Sequence, residues 1–452
     1  LKNQGFDIKG KKVTVLGAAR SGVAVSKLLA RKEAKVFLSE KASPDDKIRE
    51  VDALKKANIP SEFGGHTDRI FDADMWVVSP GIPYSSPVLQ VARDREVPVW
   101  GELEVASWFC QSPIVAVTGS NGKSTTTVLL GTIFRTAEIS CIVAGNIGQP
   151  LSDYVEETVP DGVAVVEVSS FQLETILHFH PRIAIFLNLT PDHLDRHGSM
   201  QNYGKIKSRL FENQDGNDYL IFNGKDPQVL HFTQSAVSQK VVFGLEDNAL
   251  KCGYIRNGVM ILRLDDEDEE ILPAGEISIR GEHNVANSLA AALAARSMGV
   301  EVDSIRQALK TFKGLPHRME FAREVDGIEW VNDSKATNTD SVWYALGSFS
   351  TPVILIAGGR DKNSDFTVLR DRIQEGVRSV VLLGEATEKI EEALRGLCPL
   401  VRAASLKEAV NRARALAHRG DVVLLSPGCA SFDMFKNFED RGEQFKTIVG
   451  QL

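Results

Sequence analysis

The chain has 452 residues, room for about three domains at ~150 residues each. Hydrophobic residues make up 43% and charged residues 25%, a globular balance that excludes global disorder and collagen-like repeats. With 52 Lys and Arg against 60 Asp and Glu, the net charge is −8; this argues against a general nucleic-acid binder but leaves room for a local basic pocket holding a small anion.

β-branched apolar runs alternate with amphipathic helical stretches almost from end to end. Strands are predicted at 13–16, 36–39, 75–78, 114–117, 163–168, 183–188, 328–331, 353–357, 379–383 and 422–425. They lack strict alternation, as strands buried on both faces do. The predicted fold class is α/β with mainly parallel sheets, in three domains: 1–110, 111–314 and 315–452.

The first strand runs into Gly17-Ala18-Ala19-Arg20-Ser21-Gly22, then a helix to about 31 and a strand ending at Glu40. This βαβ opening has Ala19 where a dinucleotide fingerprint has its middle Gly. A dinucleotide, another nucleotide and a purely structural turn all remain open. Ser79-Pro80-Gly81 follows the 75–78 strand and would line the same crevice.

The second start is the strand at 114–117, leading into Thr118-Gly119-Ser120-Asn121-Gly122-Lys123-Ser124-Thr125 and a helical pattern over 126–135. Glycines let backbone N–H groups turn toward an anion, Lys123 would meet the β/γ-phosphates of ATP, and the Ser124 hydroxyl would sit on Mg²⁺. Val117 stands where the longer phosphate loop has a Gly, so the loop is a shortened variant. The alternative is a Gly-rich turn with a chance lysine.

Glu167 ends the 163–168 run, and Asp192-His193-Leu194-Asp195 follows the 183–188 run. Ligands of an open parallel sheet gather at strand carboxyl ends, which brings Glu167 and His193 toward the phosphate loop as candidate metal ligands. Mg²⁺ is usual among oxygens; Mn²⁺ suits a histidine ligand better. Lys207, taken alone, reads as a solvated helix lysine. Segment 218–280 reads as a β-rich insertion, and its acidic run from Asp265 to Glu270 as a solvated turn.

The third start ends in Asn332-Asp333-Ser334-Lys335-Ala336-Thr337-Asn338. Two further loops follow strands, Gly358-Gly359-Arg360-Asp361-Lys362 and Ser426-Pro427-Gly428-Cys429-Ala430-Ser431. Together they would hold a small carboxylate. The five cysteines are scattered without a CxxC pair, so neither a zinc site nor a disulfide framework is expected. No apolar run reaches ~18 residues, and the segment LKNQGFDIKGKKV is polar; no membrane span and a cytoplasmic location are expected.

T-G-S-N-G-K-S-T at 118–125, N-D-S-K-A-T-N at 332–338 and S-P-G-C-A-S-F-D-x-F-K-N-F-x-x-R-G at 426–442 together resemble the Mur ligase family, ATP-dependent amide-forming enzymes of bacterial cell-wall precursor synthesis. The last two motifs match its D-glutamate-adding members. The resemblance implies a Rossmann-like N-terminal domain for a UDP-substrate, a central P-loop-type ATPase domain and a Rossmann-like C-terminal domain for the amino acid. It implies UDP-N-acetylmuramoyl-L-alanine, D-glutamate and ATP as substrates, no nucleic-acid or membrane partner, and a monomer.

The resemblance also implies roles. Lys123 would hold the ATP phosphates, with Ser124 and Glu167 on one metal and His193 on a second. Lys207 would be carbamylated by CO₂ and help place that second metal. Asn146 and His193 would face the muramoyl-alanine. Asn287, Arg318 and Asp333 would serve ATP; Lys335, Thr337, Lys362, Ser431 and Phe438 would form the D-glutamate pocket; Arg20, Ser21, Glu40, Ser79 and Gly81 would hold the uridine nucleotide. Closure of the C-terminal domain is expected, since the two substrate sites lie on different domains. The rival readings are a folylpolyglutamate synthase-like ligase, an NAD(P)-dependent oxidoreductase suggested by the first βαβ unit, and a nucleotide-binding switch without ligase chemistry.

Overall fold

The computed structural model describes all residues except 1–5, 245, 246, 248, 249, 266 and 362; the expectation for Lys362 therefore lies outside the described residues. The chain divides into two compact units, Leu1–Glu276 with Ala286–Lys310, and Ile277–Val285 with Thr311–Leu452. It is an α/β protein with three sheets.

The first unit carries two sheets. The N-terminal one contains β1 (Lys12–Leu16), β2 (Lys35–Glu40), β3 (Ser61–Phe63), β4 (Met75–Val78) and β5 (Val99–Gly101), all parallel, in the order β3-β2-β1-β4-β5. Chain order reverses between β1 and β4, and ligands of such sheets bind at the carboxyl ends beside that switch point. The helix Arg20–Arg31 returns the chain from β1 to β2, burying Val25, Leu28 and Leu29.

The second sheet contains β6 (Ile114–Thr118), β7 (Cys141–Gly145), β8 (Val163–Glu167), β9 (Ile183–Phe186), β10 (Tyr219–Asn223), β11 (Gln239–Phe243), β12 (Cys252–Arg256), β13 (Val259–Arg263) and β14 (Glu269–Pro273), in the order β14-β13-β12-β11-β10-β9-β6-β8-β7. Every residue of β6 and β8 is buried, which explains their unbroken apolar runs. Segment 218–280 is β-rich as expected, carrying β10 to β14, but it does not stand apart from the main sheet. β10 pairs in parallel with β9, and β11 with β10, so the segment extends the main sheet before turning antiparallel at β13 and β14. Nor is the acidic run merely a solvated turn. The Asp268 carboxylate accepts from the Tyr254 hydroxyl, Arg256 and Arg263, and Glu269 pairs with Arg296.

The second unit carries β15 (Glu320–Val325), β16 (Ile328–Asn332), β17 (Val353–Gly358), β18 (Val377–Leu383), β19 (Leu400–Arg402) and β20 (Val422–Leu425), in the order β15-β16-β20-β17-β18-β19. Only β15 is antiparallel to its neighbour. Asn338, the last residue of the 332–338 motif, caps helix Thr339–Leu346 by accepting from the Ser341 N–H, the role for which a short polar side chain is favoured. No helix among the described residues is long and apolar enough to cross a membrane. Cys110, Cys252 and Cys429 are buried, and burial pushes the Cys429 thiol up to about 12, as for an inert packing residue.

Candidate active site

β6, β8 and β9 end level with one another. Val117 is in register with Glu167, and Thr118 with Phe186. The loop Gly119–Gly122 leaves β6 and enters helix Lys123–Thr136. Gly119 has φ of 150° and Gly122 of 85°, conformations that suit glycine. A Cβ on Gly122 would lie 2.4 Å from Asn287 Oδ1, so the expected ATP residue Asn287 packs directly on the loop.

Residues after β9 hold the loop rigid. Asn188 accepts the Asn121 N–H with its side chain at 2.8 Å and the Ser120 N–H with its carbonyl at 3.0 Å. The Ser120 hydroxyl donates to the Thr190 carbonyl and accepts from the Thr190 N–H. The Lys123 ammonium donates to the carbonyls of Gly119 and Ser120 at 2.9 and 2.8 Å, which keeps the cation over the loop. The positive end of the helix points the same way.

Glu167 is 2% exposed. Its Oε1 accepts from Asn146 Nδ2 at 2.8 Å, while its Oε2 is buried with no hydrogen-bond partner, as is Thr125 Oγ1. A buried carboxylate oxygen left unmatched is costly. With the buried Ser124 hydroxyl at the helix start, this donor set of hard oxygens fits a divalent cation such as Mg²⁺. His193 begins the short helix Leu194–His197 with φ of 53°, lies 3.5 Å from the Asp192 carboxylate and packs on Phe171. No three His, Cys, Asp or Glu side chains converge as a metal cage among the described residues; of those types the expected set contains only Glu167 and His193.

The solvated reading of Lys207 fails. Lys207 is 1% exposed, and its ammonium donates to the Gly119 carbonyl at 2.8 Å. The helix Met200–Ser208 turns this position onto the phosphate loop, which local sequence does not reveal. Burial, then the nearby Lys123 charge, push its pKa well below the ordinary lysine range.

At the N-terminal switch point, the Glu40 carboxylate accepts from the N–H groups of Ala18 and Ala42. Burial opposes its ionisation, but these donors outweigh burial and hold its pKa below the usual range. Glu40 thus braces the 17–22 turn itself. The Ser79 hydroxyl donates to the Gly17 carbonyl. Arg20 donates to the Gly148 carbonyl at 2.8 Å, two residues beyond Asn146. Ser21 is half-buried and Gly81 exposed.

In the second unit, the loops after β16, β20 and β17 are stitched together. The Gly358 N–H donates to Pro427, Gly428 to Ala336, and Arg360 and Ala430 exchange bonds. The buried Asp333 carboxylate accepts from the Ser426 hydroxyl at 2.8 Å and the Met319 N–H at 3.2 Å. Burial raises its pKa to about 6 against the pull of Arg318. The Lys335 ammonium lies 5.6 Å from the centre of the Phe438 ring. Thr337 is half-buried, and Ser431 Oγ is buried with no hydrogen-bond partner. Asp333 and Lys335 thus follow the carboxyl end of β16 and Ser431 that of its parallel neighbour β20, with Phe438 against Lys335.

Three family models match in succession: MurD N-terminal domain over residues 12–88, Mur ligase middle domain over 117–295, and Mur ligase, glutamate ligase domain over 317–429. The chain is 46% identical to the UDP-N-acetylmuramoylalanine–D-glutamate ligase of Salinibacter ruber over 99% of both chains. It is 45% identical to that of Pelotomaculum thermopropionicum at the same coverage. The chain belongs to the UDP-N-acetylmuramoylalanine–D-glutamate ligase family. Solved structures with the same fold include a pseudomurein peptide ligase type C from Methanothermus fervidus, with TM-score 0.63 and 19% identity over 98% of this chain and 100% of that one. Another is UDP-N-acetylmuramate-alanine ligase from Thermotoga maritima, at 0.60 and 18% over 98% and 99%.

Several residues of this family member escaped the sequence reading. Asn188 and Thr190 lock the phosphate loop, yet nothing in N-L-T distinguishes them from an ordinary loop. Arg441 is 1% exposed and donates to Ser334 Oγ and to the carbonyls of Ser334 and Cys429. It ties the 332–338 and 426–442 motifs together, and it was in plain view as the arginine of the latter. The arginine of Asp192-His193-Leu194-Asp195-Arg196 was likewise passed over.

Proposed function

We propose that the chain joins D-glutamate to UDP-N-acetylmuramoyl-L-alanine, converting ATP to ADP and phosphate, in peptidoglycan precursor synthesis. The observation that carries this reading is the 46% identity to a D-glutamate ligase over 99% of both chains. The glycine-shaped loop with Lys123 supports ATP as the phosphoryl donor. Domains 1–110, 111–314 and 315–452 are part of the proposal, supported by one sheet in each span. So are a monomeric state and a cytoplasmic location.

A carboxylate is a poor electrophile, so it must be activated. Its oxygen attacks the γ-phosphorus of ATP, the bond to the β-bridging oxygen breaks, and ADP leaves an acyl phosphate. The deprotonated D-glutamate amine then attacks the acyl carbon, and the tetrahedral intermediate expels phosphate. Two anions must be aligned first, which is work for fixed charge and position. Lys123, Ser120 and Gly122 would cradle the phosphates, with Asn287, Arg318 and Asp333 serving the rest of ATP. Ser124 and Glu167 would hold Mg²⁺, whose chemistry is to neutralise phosphate charge. His193 would hold a second cation and face the muramoyl-alanine with Asn146.

The depressed Lys207 amine supports its carbamylation. A neutral amine adds CO₂ and releases a proton, which turns a cation beside Lys123 into an anion suited to the second cation. Arg20, Ser21, Glu40, Ser79 and Gly81 would form the uridine-side crevice. Lys335, Thr337, Lys362, Ser431 and Phe438 would form the D-glutamate pocket, the lysines pairing with its carboxylates as point charges. The test is phosphate release from ATP with Mg²⁺ and UDP-N-acetylmuramoyl-L-alanine, in the presence of D-glutamate, L-glutamate or neither. Release stimulated by D-glutamate alone, with the amide seen by mass, is expected. Stimulation by L-glutamate with a folate substrate instead would move the chain to the folylpolyglutamate reading.

A further inference from the structure

Arg196 lies three residues beyond His193 and is the meeting point of three loops of the first unit. Its Nε and Nη2 grip the Glu174 carboxylate as a fork, Nε–Oε1 at 3.0 Å and Nη2–Oε2 at 2.5 Å. Its Nη1 donates to the Gly81 carbonyl and its Nη2 to the Ile82 carbonyl, both at 3.3 Å. The guanidinium lies 4.3 Å from the centre of the Phe171 ring. The Arg196 and Glu174 side chains are only 13% and 10% exposed. The helix carrying Arg196 cannot swivel freely, because its last residue, His197, is buried, hydrogen-bonded to Ser170 and stacked on Tyr203.

One arginine therefore links the Ser79–Ile82 loop of the N-terminal sheet to the Ser170–Glu174 segment after β8 and to the His193 loop after β9. Arg20 makes the reciprocal link, from the N-terminal sheet to Gly148 of the central one. We propose that Arg196 is a positioning residue that fixes the span between the uridine-side loop at Gly81 and the His193 loop, and thereby the fit of the UDP-sugar substrate that must reach across it. The inference rests on the ligase reading. A substrate anchored at one end and reacting at the other needs both ends held at a set separation, and small misplacements there are expensive. Arginine suits the task because its planar fork serves several acceptors at once, whereas lysine offers one flexible point charge.

The test compares R196Q, R196K and the double variant R196Q/E174Q with the wild type. Each is assayed for KM of all three substrates, for thermal stability and for calorimetric binding of UDP-N-acetylmuramoyl-L-alanine without ATP. R196Q removes the guanidinium fork from the largely buried Glu174 carboxylate, leaving only His197 at 3.7 Å, so the double variant provides the folded comparison. The expected result is a rise in KM and Kd for the UDP-substrate on the order of 10- to 100-fold, with KM for ATP and D-glutamate within about twofold, and incomplete rescue by R196K. A folded double variant with wild-type affinity for the UDP-substrate overturns the proposal, as does an equal shift in all three KM values. Wild-type turnover in the same assay reports separately on the ligase reading.

Discussion

The Lys207 ammonium reaches the Gly119 carbonyl at 2.8 Å from a side chain 1% exposed. It thereby sits under the phosphate loop, inside the same electrostatic field as Lys123 and Glu167. A buried lysine hydrogen-bonded to a carbonyl is a poor choice for stability alone, since burial opposes its charge. Replacing it with an apolar side chain of similar length should therefore be harmless to the fold and ruinous to turnover. K207M is predicted to keep or raise the melting temperature while losing activity on the order of 100-fold or more. Added bicarbonate should stimulate CO₂-depleted wild type and leave K207M silent. A fully active K207M would remove Lys207 from the mechanism.

The phosphate loop depends on the missing side chain at Gly122. With φ of 85° and Asn287 Oδ1 2.4 Å from where a Cβ would stand, alanine is both strained and crowded. G122A is predicted to destabilise by about 1–3 kcal/mol and to raise KM for ATP. Gly148 supplies the control. It has φ of 65° but nothing within 4 Å of its Cβ position, so G148A should leave KM for ATP alone. Equal ATP kinetics in the two variants would contradict the contact with Asn287.

Asp333 makes stability depend on pH in a defined window. Its pKa rises from the ordinary aspartate value of 3.8 to about 6, through burial that Arg318 and the Ser426 and Met319 bonds only partly offset. The folded state thus holds this proton more tightly than the unfolded chain. The contribution favours the fold below the unfolded pKa and is lost as pH rises toward 6, by about 3 kcal/mol in all. D333N removes the titration. The difference in melting temperature between D333N and wild type should therefore shift in favour of D333N between pH 4 and 7, and a pH-independent difference would contradict the assignment.

These properties were unequally visible in the sequence. Strands such as Met75–Val78 and Val422–Leu425 fall where the apolar runs placed them, because burial on both faces leaves a local compositional trace. The strand-end rule put Glu167 near the phosphate loop, but the register that sets it beside Val117 comes from the pairing of parallel neighbours and was not legible. The alternating runs of 218–280 do announce strands, but alternation shows one half-buried face and says nothing of the pairing partner. That partner, β9, is supplied from outside the segment. Arg196 escaped for the same reason, and Lys207 was placed in the site by the family resemblance alone, not by its own segment. Charged side chains on a short helix look solvated until packing by other loops decides otherwise.

Glu104 gives a test of such packing. Its fully buried carboxylate accepts the N–H groups of Leu177, His178 and Phe179 at 2.8–3.0 Å and the Trp108 indole N–H at 3.0 Å. It anchors helix Glu102–Ser107 to the segment that leads into β9. Glutamine would present an amide N–H to a backbone donor. E104Q is predicted to lose about 3 kcal/mol, read by chemical unfolding together with a change in tryptophan fluorescence. An unchanged midpoint would show that these bonds contribute little.

The most direct test of the central claim follows an oxygen atom. UDP-N-acetylmuramoyl-L-alanine labelled with ¹⁸O in both carboxylate oxygens is turned over with ATP and D-glutamate, and the released phosphate is weighed by mass spectrometry. If the carboxylate takes the γ-phosphoryl group and the amine then expels it, each phosphate carries one ¹⁸O. Unlabelled phosphate alongside the amide product would contradict an acyl-phosphate ligase.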